Sequence, residues 1–154
     1  MREMQAKRDI EMPQAHILLV EDDAVLRGLI ARNLKIRDHL VQCACSAEEA
    51  LDRLREGAFD LILLDINLPE QTGWDVLRVA RQEHLIEPLE DEADKQVKKL
   101  PVVILSAVRI SPRRLAEFQP LAYLPKPFPM DALVRLAANA AQRHVDGSLL
   151  GRRQ

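Results

Sequence analysis

The stretch Asp60–Leu77, DLILLDINLPEQTGWDVL, decides the fold. Residues 61–64 are an uninterrupted apolar run that ends at a second aspartate, Asp65. A run of this kind, bounded by polar residues, is typical of a strand that is covered on both faces in a parallel sheet. A polar break follows, and a helical pattern begins after Gly73. We therefore expect Asp65 at the carboxyl end of a central strand, at the edge where open α/β sheets bind ligands.

Similar apolar runs, each followed by a helical pattern, recur along the chain. The predicted strands are Ile17–Val20, Leu40–Ala44, Leu61–Leu64, Val102–Leu105 and Leu121–Leu124. The fourth helical pattern is short, and the fifth begins near Met130 and is expected to fray from about Val145. This alternation predicts an α/β fold: a doubly wound, five-stranded parallel sheet in the order 2-1-3-4-5, with helices on both faces.

Composition sets limits on the domain organisation and on the partners. The chain has 154 residues, of which 47% are hydrophobic and 30% charged, with a formal net charge of −2. These values fit one domain and argue against nucleic-acid binding. No apolar run approaches the ~20 residues of a membrane span, and the charged start lacks a signal peptide, which favours the cytoplasm. We expect a flexible arm at 1–14, the domain at 15–145 and a tail at 146–154.

Polar residues stand at the carboxyl ends of the predicted strands. Glu21 and Asp22 follow the first strand, and Asp65 and Ser106 end the third and fourth, while Lys126 comes just after the fifth. Converging carboxylates repel one another unless a cation bridges them, and an all-oxygen site suits Mg²⁺. This set is equipped for phosphoryl transfer, with an aspartate as the nucleophile and the metal, ammonium and hydroxyl facing the phosphoryl oxygens.

The motifs LLVEDDAVLR, LILLDINLPEQTGWDVL, PVVILSA and YLPKPF occur in this order, and together they resemble the receiver domain of bacterial two-component response regulators. The likeness covers about 16–144 and implies a flavodoxin-like fold. It implies that Asp65 is the phosphorylated residue and that Glu21 and Asp22 are the acidic pair. It also implies that the backbone carbonyl of Asn67 joins these carboxylates around Mg²⁺.

The resemblance also assigns a switch and a catalytic lysine. Ser106 and Tyr123 match the hydroxyl and aromatic pair that moves on phosphorylation, and Lys126 matches the family lysine, whose bond to Pro127 is cis in relatives. One departure is an insertion at about 86–100. Its charge density predicts solvated surface, as a helix extension or a loop and not as a binding element.

We expect a stand-alone receiver, because only about ten residues remain after the fifth helix, too few for an output domain. The resemblance implies that a histidine kinase or phosphotransfer protein phosphorylates it and that it signals to a separate protein. Its chemistry would be limited to self-phosphorylation and autodephosphorylation at Asp65, and a phosphorylation-dependent dimer is compatible with it. One alternative is an interaction module that no longer switches, and another is a receiver cut from a longer regulator. A phosphatase of the haloacid dehalogenase type is disfavoured, because that family needs a second Asp where this chain has Asn67.

Overall fold

A computed structural model describes residues 12–90 and 93–152. The predicted arm at 1–14 lies mostly outside these residues and stays a prediction. The elements are β1 (His16–Val20), α1 (Ala24–Lys35), β2 (Leu40–Ala44), α2 (Ala47–Glu56), β3 (Leu61–Asp65), α3 (Gly73–Gln82), β4 (Leu89–Glu90), β5 (Lys98–Ser106), α4 (Pro112–Phe118), β6 (Pro120–Pro125) and α5 (Met130–Arg152). Within this part of the chain, no helix is both long enough and apolar enough to cross a bilayer.

The sheet has the predicted order. Its five principal strands run β2-β1-β3-β5-β6 and are all parallel, which corresponds to 2-1-3-4-5 for the strands predicted from the sequence. All five residues of β3 are buried, as its continuous apolar run predicts. Since β1 and β3 are neighbours in space but not in sequence, the chain reverses its winding direction between them, and a crevice forms at their carboxyl ends.

Alternating residues of β3 separate two apolar cores. Ile62 and Leu64 face the core that contains residues from α2 and α3. Leu61 and Leu63 face the opposite core, which contains residues from α1 and α5. Because successive side chains of a strand point to opposite faces, one apolar run serves both cores. The central strand is thereby fixed from both sides, and so is the position of Asp65 at its end.

Side-chain caps fix where three helices begin after the strands. Asp23 accepts hydrogen bonds from the amides of Val25 and Leu26 at the start of α1. Ser46 accepts from the third residue of α2. At α3, Thr72 and Asp75 form a reciprocal capping box. Each cap satisfies amides that would otherwise lack partners at a helix amino terminus.

The insertion differs from the expectation of a helix extension or loop. Helix α3 ends at Gln82, and the chain forms a short antiparallel hairpin in which Leu89 pairs with Lys99 and Glu90 pairs with Lys98. Strand β5 therefore begins at Lys98, four residues before the predicted start. The opposite charges of Glu90 and Lys98 face each other across the hairpin, an arrangement that favours pairing.

The burial of Ile86 and the end of α5 also differ from the sequence-based expectation. Ile86 is 7% exposed and packs in the core with α2 and α3, so the insertion is not all solvated surface. Helix α5 continues to Arg152, past the expected fraying at Val145. Gly147 does not end this helix, because its backbone does not enter the left-handed conformation of a helix stop. The Lys126–Pro127 peptide bond is cis, as the resemblance implied.

Candidate phosphorylation site

Glu21, Asp22 and Asp65 meet in the crevice between β1 and β3. Each offers a carboxylate oxygen, and these oxygens all lie within 4.8 Å of one another. Glu21 and Asp65 are 1% and 3% exposed, whereas Asp22 is exposed. The structure thus brings together the three carboxylates that the sequence places at the ends of two neighbouring strands.

Lys126 joins this cluster from the loop after β6. Its Nζ atom donates to Glu21 Oε2 at 3.0 Å and to Asp65 Oδ2 at 3.2 Å. The backbone amide of Lys126 donates to the carbonyl of Ser106 at 2.8 Å, which fixes the loop to the end of β5. One ammonium therefore bridges two buried carboxylates that come from different strands.

Burial and charge act on these groups in opposite directions. Burial raises the pKa of the Glu21 carboxyl and the Asp65 charge adds to the rise, while Lys126 opposes it. Burial disfavours the Lys126 ammonium, but its hydrogen bonds to Glu21 and Asp65 outweigh this effect and the pKa of Lys126 is raised. Three acidic side chains thus face one ammonium. A divalent cation with oxygen ligands fits the remaining negative charge.

Backbone contacts hold the acidic residues in place. The Asn67 amide donates to Asp65 Oδ1 at 3.0 Å. The Arg27 guanidinium donates to the carbonyls of Glu21 at 2.8 Å and Asp22 at 3.3 Å. The sequence does not reveal this positioning by Arg27; its only signal is an arginine one helical turn into α1. The metal role of the Asn67 carbonyl stays a prediction.

Among the described residues, no hydrogen bond joins Ser106 or Tyr123 to Asp65, and the two hydroxyls meet instead at the carbonyl of Val108. Ser106 is fully buried, and its hydroxyl donates to this carbonyl at 2.9 Å while accepting from the Val108 amide at 3.1 Å. The Tyr123 hydroxyl donates to the same carbonyl at 3.3 Å. The predicted switch pair is thus connected through Val108. The sequence carries no signal for this contact, because every residue type has a backbone carbonyl.

A cavity lies elsewhere, at the amino-terminal edge of the sheet. It has a volume of about 550 Å³ and is lined by the α2–β3 connection, by residues 84–89 and by the middle of α5. The crevice of the acidic residues lies at the opposite edge and is charged. The chemistry of its side chains, and not the volume of a cavity, identifies this crevice as the candidate site.

Comparisons with known proteins define the class. Residues 17–138 match the response regulator receiver domain family. The chain is 32% identical over 136 residues to the response regulator protein FleR of Pseudomonas aeruginosa, and this match covers 87% of the chain and 26% of FleR. It is 35% identical over 114 residues to the transcriptional regulatory protein CpxR of Escherichia coli, covering 73% of the chain and 43% of CpxR. The chain therefore spans less than half the length of these relatives.

Solved structures show the same fold. The Francisella response regulator 1452 receiver domain superposes with a TM-score of 0.67 at 24% identity, covering 86% of this chain and 98% of that one. The response regulator TrrA of Thermotoga maritima, solved in complex with Mg²⁺ and BeF, has a TM-score of 0.62 at 25% identity, covering 84% of this chain and 99% of TrrA.

The chain belongs to the receiver domain family of two-component response regulators. Receiver domains in general accept a phosphoryl group and bind Mg²⁺ at an acidic pocket. In this chain, Glu21, Asp22 and Asp65 form a cluster of acidic residues.

Proposed function

We propose that Asp65 accepts a phosphoryl group from a histidine kinase or a phosphotransfer protein, in a reaction that depends on Mg²⁺. One observation carries the proposal: Asp65 Oδ2 lies 3.2 Å from Lys126 Nζ within a cluster of three carboxylates. A buried nucleophile, a fixed cation and a set of oxygen ligands are the parts that phosphoryl transfer needs.

Each residue of the site has a distinct role in the proposed reaction. A carboxylate oxygen of Asp65 forms a bond to phosphorus while the bond from phosphorus to the donor's imidazole nitrogen breaks, and that nitrogen takes up a proton. Lys126 and the Asn67 amide hold the carboxylate oriented in the crevice. Lys126 then neutralises charge on the transferred phosphoryl oxygens. When bound by Glu21, Asp22, Asp65 and the Asn67 carbonyl, Mg²⁺ supplies further neutralisation of those oxygens.

The phosphoryl group leaves by hydrolysis. A water oxygen attacks phosphorus, the bond to the Asp65 oxygen breaks, and inorganic phosphate and the free carboxylate are released. The proposed enzymatic chemistry of the chain is limited to these two reactions at Asp65, self-phosphorylation and autodephosphorylation.

Signalling is proposed to use a conformational switch. Ser106 would leave Val108 to donate its hydroxyl to a phosphoryl oxygen, and Tyr123 would lose its partner at the Val108 carbonyl as that loop moves. A downstream protein would recognise the changed surface, or two phosphorylated chains would pair there. The proposed compartment is the cytoplasm.

Labelling with acetyl phosphate tests this function. With Mg²⁺, intact-mass spectrometry is expected to show one phosphoryl group on the wild type and none on Asp65→Asn. The matched control is Asp52→Asn, because Asp52 is an exposed aspartate on α2 and its variant is expected to be labelled like the wild type. Labelling of Asp65→Asn at the wild-type level would contradict the assignment.

Two alternatives remain distinct from this proposal. An interaction module that no longer switches would show no change in amide exchange across residues 107–124 when beryllofluoride and Mg²⁺ are added. The second alternative is that the chain is a receiver segment of a longer regulator and not the stand-alone protein predicted from the sequence. The size of the native protein in an immunoblot of source cells separates these two.

A further inference from the structure

Two aromatic rings join α3 to α4. Trp74 lies in the first turn of α3 and is 8% exposed, and Phe118 is the last residue of α4 and is 2% exposed. Their ring centroids are 5.4 Å apart and the planes differ by 20°, which is a stacked arrangement. Stacked aromatic pairs contribute attraction beyond the apolar area that they bury. The two helices are thus held together by a specific contact.

Two arginines cover this aromatic pair. The guanidinium carbon of Arg81 on α3 lies 4.7 Å from the centroid of the Phe118 ring, and that of Arg114 on α4 lies 5.7 Å from the Trp74 ring. Arg81 also donates to the carbonyl of Glu117 at 2.9 Å. Each helix thereby places a cation over the aromatic ring of the other. We call Trp74, Phe118, Arg81 and Arg114 the α3–α4 clasp.

The clasp begins one residue from a backbone contact with the phosphorylation site. Gly73 precedes Trp74, and its amide donates to the carbonyl of Ile66 at 2.9 Å. A Cβ atom at position 73 would lie only 2.7 Å from the carbonyl oxygen of Asp65. The start of α3 is therefore packed directly on the backbone of Asp65, and a shift of Asp65 and Ile66 has to move Gly73 and Trp74 as well.

We propose that the α3–α4 clasp is a second link between Asp65 and α4, acting beside Ser106 and Tyr123. The proposal rests on the proposed function. The Ser106–Tyr123 pair acts on Val108, ahead of the amino terminus of α4. Within the clasp, the contacts of Trp74 and Arg81 with Phe118, and the hydrogen bond from Arg81 to Glu117, hold the carboxyl-terminal end of the same helix. With both links, α4 is displaced at its two ends and moves as one unit.

The test compares variants of the clasp with matched controls. Arg81→Ala removes the cation over Phe118 and the bond to Glu117. Its control is Arg78→Ala, one turn earlier on α3, because Arg78 pairs with Asp75, whereas Arg81 and Arg114 are the arginines over the two rings. Phe118→Leu removes the stack, and Tyr123→Phe removes the switch hydroxyl. For each variant, acetyl phosphate labelling of Asp65 is measured, together with amide exchange of residues 112–118 with and without beryllofluoride and Mg²⁺.

We expect all four variants to be labelled. Arg81→Ala is expected to reduce the beryllofluoride-dependent change in exchange of 112–118 by about two- to fivefold, the size of one cation–π contact, and Arg78→Ala to leave it unchanged. Tyr123→Phe is expected to retain part of the change. Trp74 is the only tryptophan, so its emission is expected to shift with beryllofluoride in the wild type.

Two results would overturn the link. One is a wild-type response of 112–118 in Arg81→Ala. Arg81 is itself an exposed residue, so this result does not depend on whether Phe118→Leu folds. The other is complete loss of the response in Tyr123→Phe while the clasp is intact. Either result with normal labelling refutes the clasp and leaves the phosphorylation site standing. Absence of labelling in the wild type refutes the proposed function, and the clasp with it.

Discussion

The Nζ atom of Lys126 lies 3.2 Å from Oδ2 of Asp65, although the two residues are 61 positions apart in the chain. The same ammonium binds Glu21, so it compensates two buried carboxylates at once. This relationship makes Lys126 a structural counter-ion as well as a proposed participant in phosphoryl transfer. Mg²⁺ separates the two roles. It can compensate the charge of the carboxylates in place of Lys126, but it does not take over the contact of the lysine with the phosphoryl group.

We expect Lys126→Ala to be less stable than the wild type without Mg²⁺, by roughly 1–3 kcal/mol, because two buried acceptors lose a charged donor. Mg²⁺ is expected to stabilise this variant more than the wild type, since the cation no longer competes with an ammonium. Labelling of Asp65 is expected to fall by roughly 10²-fold even with saturating Mg²⁺. Urea unfolding and acetyl phosphate labelling measure these effects.

Lys35→Ala is the control for Lys126→Ala, because Lys35 is an exposed lysine on α1. It is expected to match the wild type in both measurements. Normal labelling of Lys126→Ala would remove this residue from the proposed chemistry, whatever its effect on stability.

Gly73 and Gly28 form a second matched pair. A Cβ atom at Gly73 would meet the Asp65 carbonyl oxygen at 2.7 Å and the Ile66 Cδ1 atom at 2.9 Å, whereas nothing lies within 4 Å of a Cβ atom at Gly28. We expect Gly73→Ala to lower the free energy of unfolding by about 1–3 kcal/mol. Gly28→Ala, inside α1, should raise it by about 0.5–1 kcal/mol. Equal effects in urea unfolding would contradict this close approach.

The sheet could be predicted because its signals are local. The apolar run of β3 specifies a strand buried on both faces, and parallel pairing then brings Glu21, Asp22 and Asp65 to one edge. The bridging position of Lys126 follows from the same rule. The Ser106–Val108 contact could not be predicted, because it depends on a backbone carbonyl and on the path of a loop.

The insertion shows the opposite case. The many charges of the insertion predict solvated surface. Its individual residues do not indicate that two of its segments pair as strands. The hairpin depends on Glu90 pairing with Lys98, and the segment between them has neither an alternating apolar pattern nor a Gly or Asn turn signal that would predict it. Ile86 is buried because the chain returns to the core directly after α3, and an isolated isoleucine in a charged segment does not reveal this return.

The hairpin should be dispensable for phosphorylation. It pairs with the first residues of β5 at Lys98, while Ser106 ends the strand at the site. Eight steps of about 3.3 Å place these ends roughly 26 Å apart, too far for direct participation. Replacing residues 90–97 with Asn-Gly retains the buried Ile86 and Leu100. We expect wild-type labelling of Asp65, whereas lost labelling in a folded protein would refute this separation.

The last prediction concerns His39, which is 7% exposed and accepts a hydrogen bond at Nδ1 from the Ala15 amide at 3.1 Å. Burial holds the pKa of His39 below its ordinary value of 6.5. Above pH 6.5 the imidazole is neutral in both the folded and the unfolded chain and causes no pH dependence. As the pH falls below 6.5, the unfolded chain binds a proton first, so stability decreases until the folded pKa is passed.

His39→Asn tests this dependence, because an amide oxygen can accept from Ala15 without titrating. The free energy of unfolding is measured in urea at pH 7.5 and 5.5. We expect the wild type to lose more stability between these pH values than His39→Asn does. The control is His84→Asn, since His84 is exposed and its positive φ of 56° suits asparagine. If His39→Asn and the wild type lose the same stability on acidification, the buried neutral imidazole is not the cause.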